Sequence, residues 1–138
     1  MMDADTASAA LGIELTELAE GRAVCRMKVT GQMINGHALC HGGYVFLLAD
    51  TAFACACNTY GPVTVAAGAE ITFVSPAREG DVLVAEAVER TRYSRSGVYD
   101  VTVRRAGGTT GGETAGKPGG EAAGEVVAEF RGRSREVR

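Results

Sequence analysis

The expected fold follows from one stretch, Asn35-Gly-His-Ala-Leu-Cys-His-Gly-Gly43, which continues directly into Tyr44-Val-Phe-Leu-Leu-Ala-Asp-Thr-Ala-Phe-Ala-Cys-Ala-Cys57. A polar, glycine-containing loop leads into a helix that is apolar on nearly every side. Such a helix is normally buried in the middle of a domain. Its charged side chain, Asp50, is costly to bury unless it is paired, solvated or used in chemistry. The stretch therefore predicts a central helix that carries a functional carboxylate.

The composition of the whole chain excludes several functions. Its 138 residues are enough to bury a core, and we expect a single domain over residues 1–138. A formal net charge of −3 gives no basic surface for nucleic acid or for an anionic membrane. We expect no signal peptide, because no basic segment followed by an apolar run opens the chain. The four cysteines form no C-x-x-C pair, so we expect reduced thiols in a cytoplasmic protein.

Alternating apolar and polar residues predict strands on both sides of the helix. We expect a short helical entry at Ala4–Ala10 and a long helix from Gly43 to Tyr60, ended by Gly61-Pro62. The expected strands are Leu11–Leu18, Ala23–Val29, Val63–Val74, Val82–Arg92, Val98–Arg105 and Glu125–Arg133. Short connections favour antiparallel neighbours. An antiparallel sheet of about six strands wrapped around one long helix is the hotdog fold, of the α+β class.

The segment 107–124 differs in composition from the rest of the chain, because eight of its eighteen residues are glycine. It cannot bury enough apolar surface to offset the entropy of ordering it. It also lacks a phosphate-binding glycine motif. We expect a flexible loop between the last two strands.

The residues His41-Gly42-Gly43 stand at the predicted start of the helix. Free N–H groups and the helix dipole make such a position favourable for an anion, and glycine lets a ligand approach the backbone closely. A developing oxyanion on a carbonyl substrate would suit this site. The alternative is that the two glycines are only a flexible entry to the helix.

Asp50 is expected to share a helix face with Phe46, with Phe53 or Ala54, and with Cys57. The alternative to a catalytic role is a buried carboxylate held by a structural hydrogen bond. Its combination with the oxyanion-type loop favours chemistry.

The spacing between Gly42 and Asp50 has a geometric consequence. Eight residues on one helix correspond to about 12 Å. A reacting carbonyl must lie about 3 Å from both its oxyanion donor and the attacking group. If Gly42 and Asp50 act on one substrate, they must come from two subunits of a two-fold dimer.

Other kinds of site are poorly supported by the sequence. His37, Cys40 and His41 lie in a glycine-interrupted loop without further evenly spaced ligands, so no metal site is expected. A G-x-S-x-G motif is absent, and neighbouring Cys40 and His41 would point apart rather than form a dyad.

Several segments together resemble a known family, the PaaI-type phenylacetyl-CoA thioesterases of phenylacetate degradation. The longest match runs from Asn35-Gly-His through His41-Gly-Gly-Tyr-Val-Phe-Leu-Leu-Ala-Asp-Thr-Ala-Phe-Ala54 to Cys57-Asn58. Further matches are Phe73-Val-Ser-Pro-Ala, Gly80-Asp81, Gly97-Val-Tyr-Asp-Val101 and Phe130-Arg-Gly-Arg-Ser134. The resemblance covers nearly the whole chain except residues 107–124. It implies a hotdog enzyme that hydrolyses an acyl-CoA thioester to a free acid and coenzyme A.

The resemblance also implies roles for individual residues. The catalytic carboxylate falls on Asp50 and the oxyanion amide on Gly42, while the active-site asparagine and histidine fall on Asn35 and His41. Thr51 matches a position expected to orient the carboxylate or water. The family places the carboxylate and the oxyanion loop of one site on different subunits, and it usually forms a dimer of dimers. We therefore expect a homotetramer that needs no metal or redox cofactor.

The substrate contacts are expected at Gly43, Phe46 and Arg95. Coenzyme A phosphates require cations, and arginines at 90, 92, 95, 131, 133 and 135 supply local positive charge, although most are expected to be solvated. Two rival functions remain open. One is a thioesterase for another acyl group, such as a medium-chain or hydroxybenzoyl group, and the other is a non-catalytic acyl-CoA-binding hotdog protein. A hotdog dehydratase is disfavoured, because the helix carries no histidine.

Overall fold

The computed structural model describes residues 2–106 and 124–137. It contains a short helix α1 (Thr6–Ala10) and a long helix α2 (Gly42–Cys57). The strands are β1 (Glu14–Ala19), β2 (Arg22–Lys28), β3 (Thr64–Phe73), β4 (Val82–Tyr93), β5 (Ser96–Arg105) and β6 (Val126–Glu136). The expected flexible loop at 107–124 lies outside the described residues except for Gly124, so it stays a prediction.

The strands form one antiparallel sheet in the order β1-β2-β4-β5-β6-β3, and α2 packs against one face of it, mainly on β2 and β4. Alternation in the sequence decides which side chains face the helix. In β5, Tyr99, Val101 and Val103 are buried against α2, whereas Asp100 and Thr102 point outward. The predicted α+β hotdog architecture is confirmed.

The prediction that α2 ends at Tyr60 is wrong, because the helix stops at Cys57. The side chain of Asn58 takes over the hydrogen bonds at this end: its Nδ2 donates to Ala54 O (2.8 Å) and Thr64 O (3.0 Å), and its Oδ1 accepts from Thr64 N–H (3.0 Å). Gly61 does have a positive φ of 108°, but it lies in the connection to β3 and does not cap the helix. Asn58 thus joins the end of α2 to the start of β3.

Two strand boundaries differ from the prediction by three residues, and the others by two residues at most. β1 begins at Glu14 rather than Leu11, because Leu11 caps α1 and Ile13 N–H donates to Ser8 O. β6 continues to Glu136 rather than ending at Arg133, because it pairs with β3 on one side and with β5 on the other. With the later start of β1, residues Thr6–Ala10 form α1, which lies beside α2.

Two neighbouring surfaces remain partly uncovered in the single chain. β3 is an edge strand, and its large apolar residues Val65 and Phe73 are 48% and 54% exposed. Along α2, a stripe comprising Gly43, Phe46, Leu47, Asp50 and Ala54 is only half-buried or exposed. The expectation of a helix buried on every side is therefore wrong, and Asp50 lies in the middle of the exposed stripe.

Gly132 provides a test of packing between the sheet and the helix. A Cβ at this position would lie 2.8 Å from Phe53 Cζ. Phe53 is buried between Tyr99 and Phe130, with ring centroids 5.6 and 5.8 Å away, so its ring has no space to withdraw. We expect Gly132→Ala to lower the free energy of unfolding by about 1–3 kcal/mol, measured by urea denaturation.

The matched control is Gly36→Ala, because a Cβ at Gly36 meets no atom within 4 Å. Equal stability of the two variants would contradict the packing argument.

Candidate active site

The loop before α2 is closed by hydrogen bonds of its own residues. Asn35 N–H donates to Leu39 O (2.7 Å), and Asn35 Oδ1 accepts from the N–H groups of His37 (2.8 Å) and Leu39 (3.2 Å). Ala38 completes the turn with a left-handed φ of 62°. The Asn35 side chain therefore organises the loop through its oxygen.

The base of the loop is anchored to two other parts of the chain. His41 N–H donates to Met33 O and Cys40 N–H donates to Ala77 O, both at 2.7 Å. Cys40 is buried, and its pKa is raised by burial and by the charge of Asp81. These contacts fix where α2 begins.

His41 is the N-cap of α2, with extended backbone angles (φ −61°, ψ 134°). Its Nδ1 accepts from Gly43 N–H at 3.3 Å, so the imidazole in this arrangement carries its proton on Nε2. Gly42 N–H donates to no atom of the described residues. The first amide of the helix is thus left available for an acceptor on a ligand.

Gly42 opens into a groove of about 410 Å³. Asn35 and Cys40 line it on the loop side, and its apolar walls come from Val45, Phe73, Val74 and Val127. The Phe73 ring lies directly on Gly42, since a Cβ there would be 2.8 Å from Phe73 Cζ. The groove thus combines one free amide with apolar walls that suit an acyl group. No role was predicted for Phe73, which is the last residue of β3.

Asp50 is half-buried and shares its helix face with Phe46, Leu47 and Ala54. The expected neighbour Phe53 instead faces the core, where it contacts Tyr99. Burial, and secondarily the negative charge of Asp5, raises the pKa of the Asp50 carboxyl above its usual value. A carboxylate with a raised pKa is a better proton acceptor near neutral pH.

Within one chain the structure does not bring Gly42 and Asp50 to a common point. Both lie on the continuous helix α2, about 12 Å apart along its axis. Phe46 lies between them and packs its ring on Phe130 at a centroid distance of 5.3 Å. Thr51 is buried and directs its hydroxyl to Ser8, 2.8 Å away.

Arg95 lies far from the loop in the same chain. Its carbonyl accepts from Glu136 N–H, and Glu136 pairs with Thr64, which contacts the C-terminal end of α2 through Asn58. Sixteen residues of helix, about 24 Å, therefore separate this end from Gly42.

Most of the other arginines considered as phosphate ligands are paired with carboxylates. The ion pairs are Arg90–Asp100 (3.5 Å), Arg92–Glu136 (3.9 Å), Arg131–Asp100 (2.6 Å) and Arg133–Glu70 (2.9 Å). Across residues 2–106 and 124–137, no three His, Cys, Asp or Glu side chains are grouped so that they could hold a metal ion. Within the same ranges, no helix is long and apolar enough to cross a membrane.

Comparisons with known proteins agree with this arrangement. The thioesterase superfamily model matches residues 37–111. The acyl-coenzyme A thioesterase PaaI of Escherichia coli K12 is 48% identical over 103 residues, which are 75% of this chain and 74% of that protein.

Two solved structures are similar over almost the whole chain. The E. coli PaaI protein from the phenylacetic acid degradation operon superposes with a TM-score of 0.86 at 40% identity, covering 100% of this chain and 88% of that one. The TT0310 protein of Thermus thermophilus gives a TM-score of 0.81 at 32% identity, covering 96% of this chain and 98% of that one. This chain therefore belongs to the thioesterase superfamily, as a hotdog-fold, PaaI-like acyl-CoA thioester hydrolase.

Proposed function

We propose that the chain hydrolyses phenylacetyl-CoA or ring-hydroxylated phenylacetyl-CoA to the free acid and coenzyme A, in cytoplasmic phenylacetate degradation. The observation that carries this proposal is the free Gly42 N–H at the start of α2, facing an apolar groove. An aromatic acyl group suits walls formed by Phe73, Val45 and Val127. The operon named for the E. coli relative points to the same substrate class.

In the proposed mechanism, the thioester carbonyl oxygen accepts a hydrogen bond from Gly42 N–H, and the helix dipole stabilises the negative charge that develops there. In one route Asp50 takes a proton from water as the water oxygen attacks the carbonyl carbon. The tetrahedral intermediate then collapses, the carbon–sulfur bond breaks, and the proton reaches the departing thiolate. In the other route Asp50 attacks directly and forms a mixed anhydride that water hydrolyses. Neither route uses a metal or redox cofactor.

We propose that each site uses Asp50 from a partner subunit, because one helix cannot bring both groups to one carbonyl. The half-exposed stripe on α2 and the exposed edge of β3 lie side by side and are rich in apolar residues, which supports a dimer contact there. A dimer is thus the minimum functional unit, and we propose a dimer of dimers as the full assembly.

The remaining residues are assigned supporting roles. Asn35 lines the groove, where its Nδ2 can position water or the thioester, and His41 shapes the start of the helix. Gly43 and Phe46 lie on the stripe beside Asp50, where an acyl group would contact them. Arg95 lies too far from Gly42 of its own chain to serve the same site. It can reach coenzyme A phosphates only at a site whose Gly42 comes from a different subunit.

Two substitutions separate the structural role of Asn35 from its chemical role. Asn35→Ala removes the acceptor of two backbone N–H groups, so we expect a loss of stability of about 1 kcal/mol as well as a loss of activity. Asn35→Asp keeps that acceptor but replaces the Nδ2 donor by negative charge. It should retain the melting temperature and still lower kcat/KM by about tenfold or more. A fully active Asn35→Asp enzyme would show that the side chain serves only the loop.

The function is tested by a hydrolysis screen of aromatic, short-chain, medium-chain and hydroxybenzoyl CoA esters, with thiol release as the readout. We expect the highest kcat/KM for phenylacetyl-CoA or its ring-hydroxylated forms. A higher value for another acyl group would establish the alternative thioesterase. Tight binding of the esters without turnover would establish a binding protein instead.

A further inference from the structure

The short helix α1 is joined to α2 by a buried chain of hydrogen bonds next to Asp50. Ser8 is completely buried and Thr51 is 3% exposed, and their hydroxyl oxygens are 2.8 Å apart. Ser8 Oγ also lies 2.7 Å from Asp5 Oδ2, and Ser8 N–H donates to Asp5 Oδ1 at 2.9 Å. The connection spans 43 residues of sequence between Ser8 and Thr51.

The carboxylate of Asp5, at one end of this hydrogen-bond network, determines which way the Ser8 and Thr51 hydroxyl groups donate. An ionised Asp5 carboxylate can only accept, so the Ser8 hydroxyl donates to it. Ser8 then has no second proton to give, and the Thr51 hydroxyl must donate to Ser8 Oγ. The Thr51 proton is therefore directed toward α1 and away from the exposed stripe that carries Asp50.

A threonine inside a helix normally turns its hydroxyl back to a carbonyl of the preceding turn. Thr51 instead ties its turn of α2 to a second helix through a charge-assisted network. Asp50 precedes Thr51 directly, so the rotation of α2 at this point and the direction of the Asp50 side chain are fixed together.

We propose that Asp5, Ser8 and Thr51 are positioning residues that hold the Asp50 carboxylate in its catalytic orientation. This inference rests on the proposed function, since it gives Asp50 a substrate to act on. Its mechanical part requires only that α1 restrains α2. A carboxylate displaced by about 1 Å loses a large share of its rate advantage, so a restraint at the neighbouring residue is of direct consequence.

Asp5 acts on Asp50 by its charge as well. As the N-cap of α1, it adds to burial in raising the pKa of Asp50 on α2. The other ionisable neighbour is Cys57 on the same helix, on which the Asp50 charge acts in turn. Burial raises the pKa of the Cys57 thiol, so this group is neutral. Asp5 is thus the charged group that acts on Asp50 within the described part of the chain.

The positioning role is tested with Ser8→Ala, Thr51→Val and the double variant, assayed on the best acyl-CoA ester. We expect each single variant to lower kcat about tenfold with little change in KM, and the double variant to be no worse than either single variant. Thr51→Ser restores the hydroxyl and should recover most of kcat. Thr6→Ala, an exposed change in the same helix, is the matched control and should behave as wild type. Wild-type kcat in both single variants, or additive losses in the double variant, would overturn the proposal.

A second measurement is independent of turnover. The titration of Asp50 is followed by NMR of its ¹³C-labelled carboxyl group in wild type and in Asp5→Asn, with Asp3→Asn as the control. Removing the Asp5 charge should lower the Asp50 pKa, and the acidic limb of kcat should move in the same direction and by the same amount. An unchanged Asp50 titration refutes the charge role even if no substrate is found. A moved titration in a protein that hydrolyses no acyl-CoA refutes the proposed function alone.

Discussion

Replacement of Asp50 by asparagine is expected to lower kcat by about 10²- to 10⁴-fold, the range typical for loss of a general base. Asparagine keeps the shape of the side chain, but it can neither accept the proton from water nor attack the thioester. The measurement is thiol release under saturating acyl-CoA. Activity near the wild-type level would remove Asp50 from the mechanism.

The same variant should not lose stability, and this separates catalysis from folding. The pKa of Asp50 is raised in the folded chain, chiefly by burial. The ionised carboxylate therefore destabilises the folded chain at pH values above the ordinary aspartate pKa. At pH values below it, the carboxyl group is protonated in both the folded and the unfolded chain, and this destabilisation disappears. Asparagine carries no charge and removes this destabilisation, so the melting temperature of the variant at pH 7 should equal or exceed that of wild type. In wild type, kcat should fall with decreasing pH through the raised pKa of Asp50, and the acidic limb should lie above that of an ordinary aspartate.

The second large effect is expected at Gly42, where proline removes the N–H without an obvious obstacle to the backbone. Proline is well tolerated at the first position of a helix, and the preceding residue, His41, already has the extended backbone angles that proline requires (ψ 134°). Loss of one oxyanion donor typically costs about 10²- to 10³-fold in kcat. We expect Gly42→Pro to show a loss of this size in thiol release.

Gly42→Ala is the steric control, because it introduces the same Cβ against the Phe73 ring but keeps the N–H. Phe73 is 54% exposed, so its ring can move aside and the protein should remain folded. The difference between the alanine and proline variants measures the contribution of the amide. Equal activity of the two variants would mean that the loss comes from the added Cβ and not from the missing N–H.

Mixing the two inactive variants tests the shared site. A dimer of one Asp50→Asn chain and one Gly42→Pro chain has one intact site and one doubly impaired site. Random association makes half of the dimers mixed, so about a quarter of wild-type activity should return. Co-expression with two different affinity tags allows mixed dimers to be isolated and assayed alone. No recovery in such dimers would show that Gly42 and Asp50 do not serve one site across the interface.

The sequence predicted the fold well because its signals are periodic and local. The apolar run from Tyr44 to Cys57 and the alternation in β5 each specify an element and its buried face. The end of α2 was misplaced because glycine followed by proline is a strong stop signal, whereas Asn58 stops the helix earlier through bonds to Thr64 of another element. Such a contact is not visible in local sequence.

The candidate site was predicted unevenly for the same reason. The start of α2 at Gly42 is a local feature, and the spacing to Asp50 predicts that a site using both residues needs a second subunit. The Phe73 ring over Gly42 and the Ser8 contact with Thr51 join residues far apart in sequence, so periodicity and spacing along the chain predict neither contact. The available signal for Phe73 was its place in the segment Phe73-Val-Ser-Pro-Ala, which resembles the family.

The closed loop before α2 has a consequence for how new specificities arise. Its base is fixed at Met33 and Ala77, and its closure depends on Asn35 and Leu39, whereas its tip at 36–38 is exposed. Side chains at the tip can therefore be varied without displacing the first amide of α2, provided that position 38 keeps a residue that tolerates its left-handed φ of 62°. A library confined to these three positions would vary the surface next to Asn35 and Leu39, which line the groove, while the proposed oxyanion amide of Gly42 stays in place. We therefore expect evolution and laboratory selection to alter the entrance to the groove more easily at this tip than at the start of α2.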